Sequence, residues 1–178
     1  MRQLAAAFAL AIAALLGAAG ARAQPVPEFE LKAAFLYNFA LLTEWPVQAF
    51  PAPDAPFVLC VFGPNPFGNE LARMEEKSVQ GRRISVRTAG SPAAARDCHL
   101  LYIGPGEAGR LGRITESVGT LPVLTVADPG QSTPTEAVIT LVQRDSRIGF
   151  SVDLASARRA RLRLSSRLLK LAVNVRGE

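Results

Sequence analysis

The stretch Phe57-Val58-Leu59-Cys60-Val61-Phe62, closed by Gly63-Pro64, decides the fold. It is an unbroken apolar run with β-branched and aromatic members and no polar alternation. That is how a strand buried on both faces reads, and such strands belong to parallel sheets covered by helices. Two later runs repeat the pattern: Cys98-His99-Leu100-Leu101-Tyr102-Ile103 ends at Gly104-Pro105-Gly106, and Pro122-Val123-Leu124-Thr125-Val126-Ala127 ends at Asp128-Pro129-Gly130. Arg83–Thr88 sets Ile84 and Val86 against Arg and Ser, the alternation of a less buried strand. Helical patterns separate these runs. Phe67–Lys77 places Leu71 and Met74 on successive turns before Gly81, and Glu107–Val118 can form a helix weakened by Gly109 and Gly112. Strands and helices in this alternation predict a parallel sheet with helices on both faces.

Working outward, Glu28–Glu44 lacks Pro and Gly and is stopped by Trp45-Pro46, which predicts a helix. Leu31, Phe35, Asn38, Leu42 and Trp45 fall on one face, yet Leu36, Phe39 and Ala40 make the other side apolar too. A helix apolar nearly all round is buried on several sides or keeps a face for a partner. Phe35, Tyr37, Asn38, Phe39 and Trp45 are therefore interaction candidates. A Pro-rich linker, Pro46 to Pro56, leads into the first strand. Downstream, Ala137–Val142 and Ile148–Val152 around Arg144-Asp145-Ser146 predict a hairpin. Leu154–Arg161 and Ser165–Val173 read as closing helices, the second capped by Ser165 or Ser166. The expected fold is α/β: a mostly parallel sheet flanked by helices, a Rossmann-like sandwich, with a late β-hairpin and C-terminal helices.

The amino terminus reads as a cleavable secretory signal peptide, residues 1–23. Arg2 gives a positive start, Leu4 to Leu16 an apolar run, and Ala21-Arg22-Ala23 a small-residue cleavage site. The run is shorter than the ~20 residues a spanning helix needs. Cleavage would leave Gln24–Glu178, 155 of the 178 residues, a length suited to a single domain. It would also remove Arg2 and Arg22, so 18 basic residues would face 15 acidic ones, net +3. This small excess does not argue for nucleic acid. Basic residues cluster late, and Arg158, Arg159, Arg163 and Arg167, with Arg161 among them, form a candidate basic face. It reads either as a solvated helix surface or as a docking surface for an acidic partner or anionic lipid.

Chemistry-bearing motifs are scarce. No glycine-rich phosphate loop, Walker loop, G-x-S-x-G or H-E-x-x-H occurs. Gly63-Pro64-Asn65-Pro66-Phe67-Gly68 follows a strand, but its prolines remove amide donors that a phosphate would need. His99, the single histidine, sits within a predicted central strand and reads as a satisfied core residue. Asp128 lies at a strand's carboxyl end, where α/β proteins bind ligands, although starting an Asp-Pro-Gly turn is its simpler role. No catalytic, cofactor-binding or metal-ligating residue is assigned, and no cofactor is expected. Two cysteines and one adjacent histidine do not make a zinc site.

In an oxidising compartment the two cysteines, Cys60 and Cys98, invite a disulfide. Their strands are expected to be neighbours. If Gly63 and Gly104 mark matching strand ends, however, the cysteines are offset by three residues, roughly 10 Å. A bridge requires Cα atoms within about 7 Å. Geometry thus leaves the bridge open, conditional on a shifted register or an irregular strand start.

Three segments carry a resemblance. Lys32-Ala33-Ala34-Phe35-Leu36-Tyr37-Asn38-Phe39, continuing to Glu44-Trp45-Pro46, resembles the opening signature of the YfiR family of periplasmic regulators (YfiR/HmsC-like). Asp97-Cys98-His99-Leu100-Leu101-Tyr102-Ile103 resembles its middle strand, and Ser165-Ser166-Arg167-Leu168-Leu169-Lys170-Leu171-Ala172 its closing helix. The resemblance implies a non-enzymatic α/β domain in the periplasm that restrains an inner-membrane diguanylate cyclase by protein–protein contact. Cyclic-di-GMP signalling, and with it biofilm regulation, would fall. It implies as partners the cyclase's periplasmic domain and an OmpA-like lipoprotein that can sequester the regulator. A homodimer is a further expectation. Cys60 and Cys98 match family cysteine positions, which favours the bridge. The chain departs from the family pattern in lacking a later cysteine pair, in Asp153 where Asn is frequent, and in Arg161 where Gly is common. The competing expectation is a periplasmic small-ligand binding protein with a cleft at Gly63, Gly104 and Asp128. A hydrolase built on His99 is the third.

Overall fold

Parallel strands need crossover helices, whereas a strand pair joined by two residues must be antiparallel, and the chain uses both. The computed structural model describes residues 27–130, 136–144 and 147–177. The expected signal peptide and the Asp145-Ser146 tip of the hairpin lie outside the described residues. In chain order come α1 (Glu28–Leu41), β1 (Thr43–Glu44), β2 (Phe57–Phe62), β3 (Ser78–Val79), β4 (Arg82–Ala89) and β5 (Leu100–Ile103). Then follow α2 (Leu111–Val118), β6 (Leu124–Ala127), β7 (Ile139–Arg144), β8 (Arg147–Asp153), α3 (Leu154–Arg159), β9 (Arg163–Leu164), α4 (Ser166–Leu171) and β10 (Asn174–Arg176).

Eight strands form one sheet in the order β10-β8-β7-β6-β5-β2-β4-β3. β4, β2, β5, β6 and β7 run parallel. β3 and β8 run against β4 and β7, and β10 follows β8. The sheet is mixed α/β, so the expectation of a mostly parallel, Rossmann-like sandwich is corrected. The cause is the hairpin: Arg144 pairs with Arg147, the chain must reverse, and β8 then extends the sheet instead of packing apart from it. β10 extends it again, because the closing helix ends at Leu171 rather than Val173.

β2 reads as expected. All of its side chains are buried. Phe57, Leu59 and Val61 enter a core with α1, α3 and α4, through Leu36, Phe39, Ala157 and Leu168. Val58, Cys60 and Phe62 enter a second core on the other face, with Leu111, Ile114 and Val118 of α2. Alternation across a strand thus produces two cores from one apolar run.

Elsewhere local chemistry overrides the pattern. Phe67–Lys77 forms two short 3-10 segments, Gly68–Glu70 and Ala72–Glu76, after Gly68 at φ +54 breaks the α-helical path. The expected Glu107–Val118 helix is a 3-10 segment, Pro105–Arg110, continued by α2. α1 stops at Leu41 because Thr43–Glu44 turns out to pair antiparallel with Arg163–Leu164. Ser165 caps α4 as expected, its hydroxyl accepting from the Leu168 N–H at 3.2 Å. Asp153 caps α3 by accepting from Ser156 N–H at 2.8 Å, which an Asn there could also do. Arg161 takes a left-handed backbone, φ +56, the conformation a glycine tolerates best.

Candidate interaction site

α1 has too many apolar side chains to bury on one side. Lys32, Ala33, Leu36, Phe39 and Ala40 face inward. Phe35 is half-buried, stacking on Phe39 with ring centroids 5.7 Å apart and meeting Phe150 of β8 edge-on at 5.9 Å. Leu41 is 44% exposed. Across from it, α4 buries Leu168 but leaves Leu171 64% exposed, and Val173 just beyond is 53% exposed. Between these helices the hairpin contributes Val142, Ile148, Gly149 and Phe150.

The result is an open apolar groove of about 1210 Å³. Three of the four exposed large hydrophobic side chains among the described residues lie in it, and only Val47 lies elsewhere. Among the described residues its charged lining residues are Arg147 and Arg167, with no acidic side chain beside them. Apolar side chains gathered in one exposed place mark an interaction surface far more often than scattered ones do.

The sequence candidates fall in different places. Phe35, Asn38 and Phe39 come together in the groove, with the Asn38 amide donating to the Ala34 carbonyl at 2.9 Å. Phe39 lies at its base, 1% exposed. Tyr37 points elsewhere: its hydroxyl donates to the Ser78 carbonyl at 3.4 Å and the Lys77 ammonium sits 4.6 Å from its ring centroid. Trp45 is core, its indole N–H donating to the His99 carbonyl at 3.3 Å and its ring edge-on to Phe57. The basic residues serve separate neighbours. Arg158 donates to the Gly177 carbonyl, Arg159 donates to Ser156 Oγ at 2.8 Å, and Arg163 lies 3.6 Å from Glu44. Only Arg167 of these reaches the groove. Leu41, Leu171, Val173 and Arg147 escaped the sequence reading. An apolar excess at the end of the closing helix was the available signal.

Cys60 and Cys98 are bridged, with Cα atoms 5.9 Å apart. Cys60 stands opposite Leu101, so the three-residue offset is real. The bridge forms because Cys98 precedes β5, directly after the 3-10 turn Ala94–Asp97, where the chain swings across. This is the irregular strand start.

His99 is 6% exposed and satisfied at both nitrogens. Nδ1 accepts from the Val58 N–H at 2.9 Å, so Nε2 carries the proton and donates to the Ala49 carbonyl at 3.0 Å. Burial between stacked Phe50 and Phe57 pushes its pKa below 6.5. Neither nitrogen is left to act as a base.

Asp128 does more than start a turn. Its Oδ2 accepts from Lys32 Nζ at 2.6 Å and from the Tyr102 hydroxyl at 2.8 Å, all three side chains being buried. Glu28 also receives the ammonium. Burial works against the Lys32 charge, but the hydrogen bonds it donates to Asp128 and Glu28, with their negative charges, outweigh it and hold its pKa above 10.5. Burial, then the Asp128 charge, pushes the Tyr102 phenol up. The strand end where α/β proteins bind ligands is occupied by Lys32 of α1. The single lysine of α1, standing next to the apolar stretch Ala33–Leu36, was the signal for it. Among the described residues no three His, Cys, Asp or Glu side chains gather as a metal site requires, and no helix is long and apolar enough to cross a membrane.

Residues 29–173 match the family model described as YfiR/HmsC-like.

Proposed function

Because the chain belongs to the YfiR/HmsC-like family, we propose that it is a periplasmic regulatory protein that restrains an inner-membrane diguanylate cyclase through protein–protein contact, lowering cyclic-di-GMP signalling. The observation that supports contact as the mechanism is the groove between α1, the β7–β8 hairpin and α4, where Leu41, Leu171 and Val173 stay open to solvent. A protein that only had to fold would gain by covering them, at roughly 25 cal/mol per Å² of apolar surface.

The Cys60–Cys98 bridge suits an exported chain, since cytosolic thiols are kept reduced. We read residues 1–23 as the removed signal peptide and 24–178 as one domain. The regulator is not an enzyme in this reading: His99 has both nitrogens engaged and Asp128 is held by Lys32 and Tyr102. Those contacts also weigh against the small-ligand alternative, whose cleft would need Gly63, Gly104 and Asp128 free. Near Gly63, the Glu107 carboxylate lies 2.7 Å from where a Cβ would stand. An OmpA-like lipoprotein would relieve restraint by sequestering the regulator, and a second copy could dimerise with it.

Deleting the gene tests the reading. Cellular cyclic-di-GMP and biofilm mass should rise and return to normal when the gene is supplied on a plasmid. Unchanged levels across several growth conditions would overturn it.

A further inference from the structure

We infer that the groove receives an amphipathic helix of the partner protein, apolar along the side that enters and carrying Asp or Glu where it meets Arg147 and Arg167. The inference rests on the protein-contact reading above and adds the chemistry of what is bound. Size comes first. Small-molecule pockets span roughly 300–1,000 Å³, and this groove, at about 1210 Å³ and open along its length, exceeds them. A segment of protein fills it better than a metabolite.

Architecture comes second. A sheet buries its apolar face under helices. Here α1 and α4 stand on either side of the hairpin, while Val142, Ile148 and Gly149 between them stay only partly covered. One further helix would complete the layer. Both walls already offer apolar contacts to it, Leu41 from α1 and Leu171 from α4, with Val173 beyond. Helix-in-groove recognition uses such anchors, met by apolar side chains at i, i+3 or i+4, and i+7.

Charge comes third and selects the partner. Arg147 and Arg167 are exposed, line the groove, and have no ion-pair partner among the described residues. With no carboxylate among the described residues of the lining, a basic helix would meet uncompensated like charge. An acidic one would gain two charge-assisted contacts at the rim. The concave shape favours a helix over a flat anionic bilayer.

The test is a display library of peptides of about 15 residues, roughly four helical turns, selected against the disulfide-bonded chain Gln24–Glu178 and counter-selected against its Leu171→Asp variant. Recovered peptides should show apolar residues at helical spacing flanked by Asp or Glu. Arg147→Glu with Arg167→Glu should weaken their binding at least about tenfold, equivalent to ~1.4 kcal/mol, and Lys in place of the peptide acids should restore it. Melting temperatures and near-ultraviolet circular dichroism confirm that the variants are folded. Binders without acidic residues, no binder that distinguishes Leu171→Asp, or no rescue by the charge swap would overturn the inference. So would an arginine-dependent preference for phosphatidylglycerol vesicles over every peptide. Raised cyclic-di-GMP on deletion combined with any of these results would sink the helix alone. Acidic helices recovered with unchanged cyclic-di-GMP would sink the cyclase reading and leave the groove's preference standing.

Discussion

Lys32 and Asp128, 96 residues apart in sequence, form an ion pair at 2.6 Å in which both side chains are more than nine-tenths buried. The pair ties α1 to the carboxyl end of β6, and Tyr102 of β5 donates to the same carboxylate oxygen. α1 therefore cannot slide on the sheet without stranding a charge. That matters to the groove, because α1 is one of its walls.

Lys32→Met should lower unfolding free energy by about 3–5 kcal/mol, since it leaves Asp128 buried with only the Tyr102 hydroxyl. Lys32→Met combined with Asp128→Asn should lose clearly less, because the amide oxygen still accepts from Tyr102 and no charge is stranded. Urea denaturation of both variants checks this. Equal losses would contradict the account.

Stability should fall at both ends of the pH scale. Tyr102 and Lys32 have folded pKa values raised above their ordinary 10.0 and 10.5. Each binds its proton more tightly when folded, so its contribution is complete below those values and is lost as pH rises through the folded ones. His99 is lowered below 6.5, so its contribution is complete above 6.5 and is lost as pH falls toward the folded value. Urea midpoints should form a plateau between about 6.5 and 10. Tyr102→Phe should soften the alkaline limb and leave the acid limb alone.

Cys60→Ala with Cys98→Ala opens a loop spanning 38 residues. The loss should be about 2–4 kcal/mol under oxidising conditions. Dithiothreitol should lower the melting temperature of the wild type and leave that of the double variant unmoved.

Arg161→Gly should stabilise the chain by up to about 1 kcal/mol, because a left-handed backbone at φ +56 costs a side-chain-bearing residue roughly 1–2 kcal/mol and the added freedom of glycine in the unfolded chain takes back part of that. The exposed Arg161 side chain makes only a 3.4 Å contact to the Thr120 carbonyl, so little else is lost. A melting temperature below that of the wild type would contradict this.

The parallel strands were legible because burial on both faces leaves an unmistakable run, as in Phe57–Phe62. The hairpin and the Ser165 cap were legible because turn and cap chemistry is local. The mixed sheet was not, since nothing local in Ile148–Val152 says which sheet it joins. Asn174–Arg176 carries too few apolar residues to announce a strand and depends on pairing with Ser151–Asp153. Of the five interaction candidates, Phe35, Asn38 and Phe39 belong to the groove, whereas Tyr37 and Trp45 shared their helical pattern but are claimed by Ser78 and His99. Periodicity identifies an apolar side chain without identifying its neighbour, and Leu171 became a groove residue only when α4 stopped short.

The most direct test of the central claim is cyclic-di-GMP content, by mass spectrometry, in the deletion strain carrying either the wild-type gene or Leu41→Asp with Leu171→Asp. Both side chains are already exposed, so the variant should fold and reach the same periplasmic level. The account predicts that wild type returns cyclic-di-GMP to its normal level while the variant leaves it as high as the deletion. Full restoration by the variant, at equal periplasmic abundance, would contradict it.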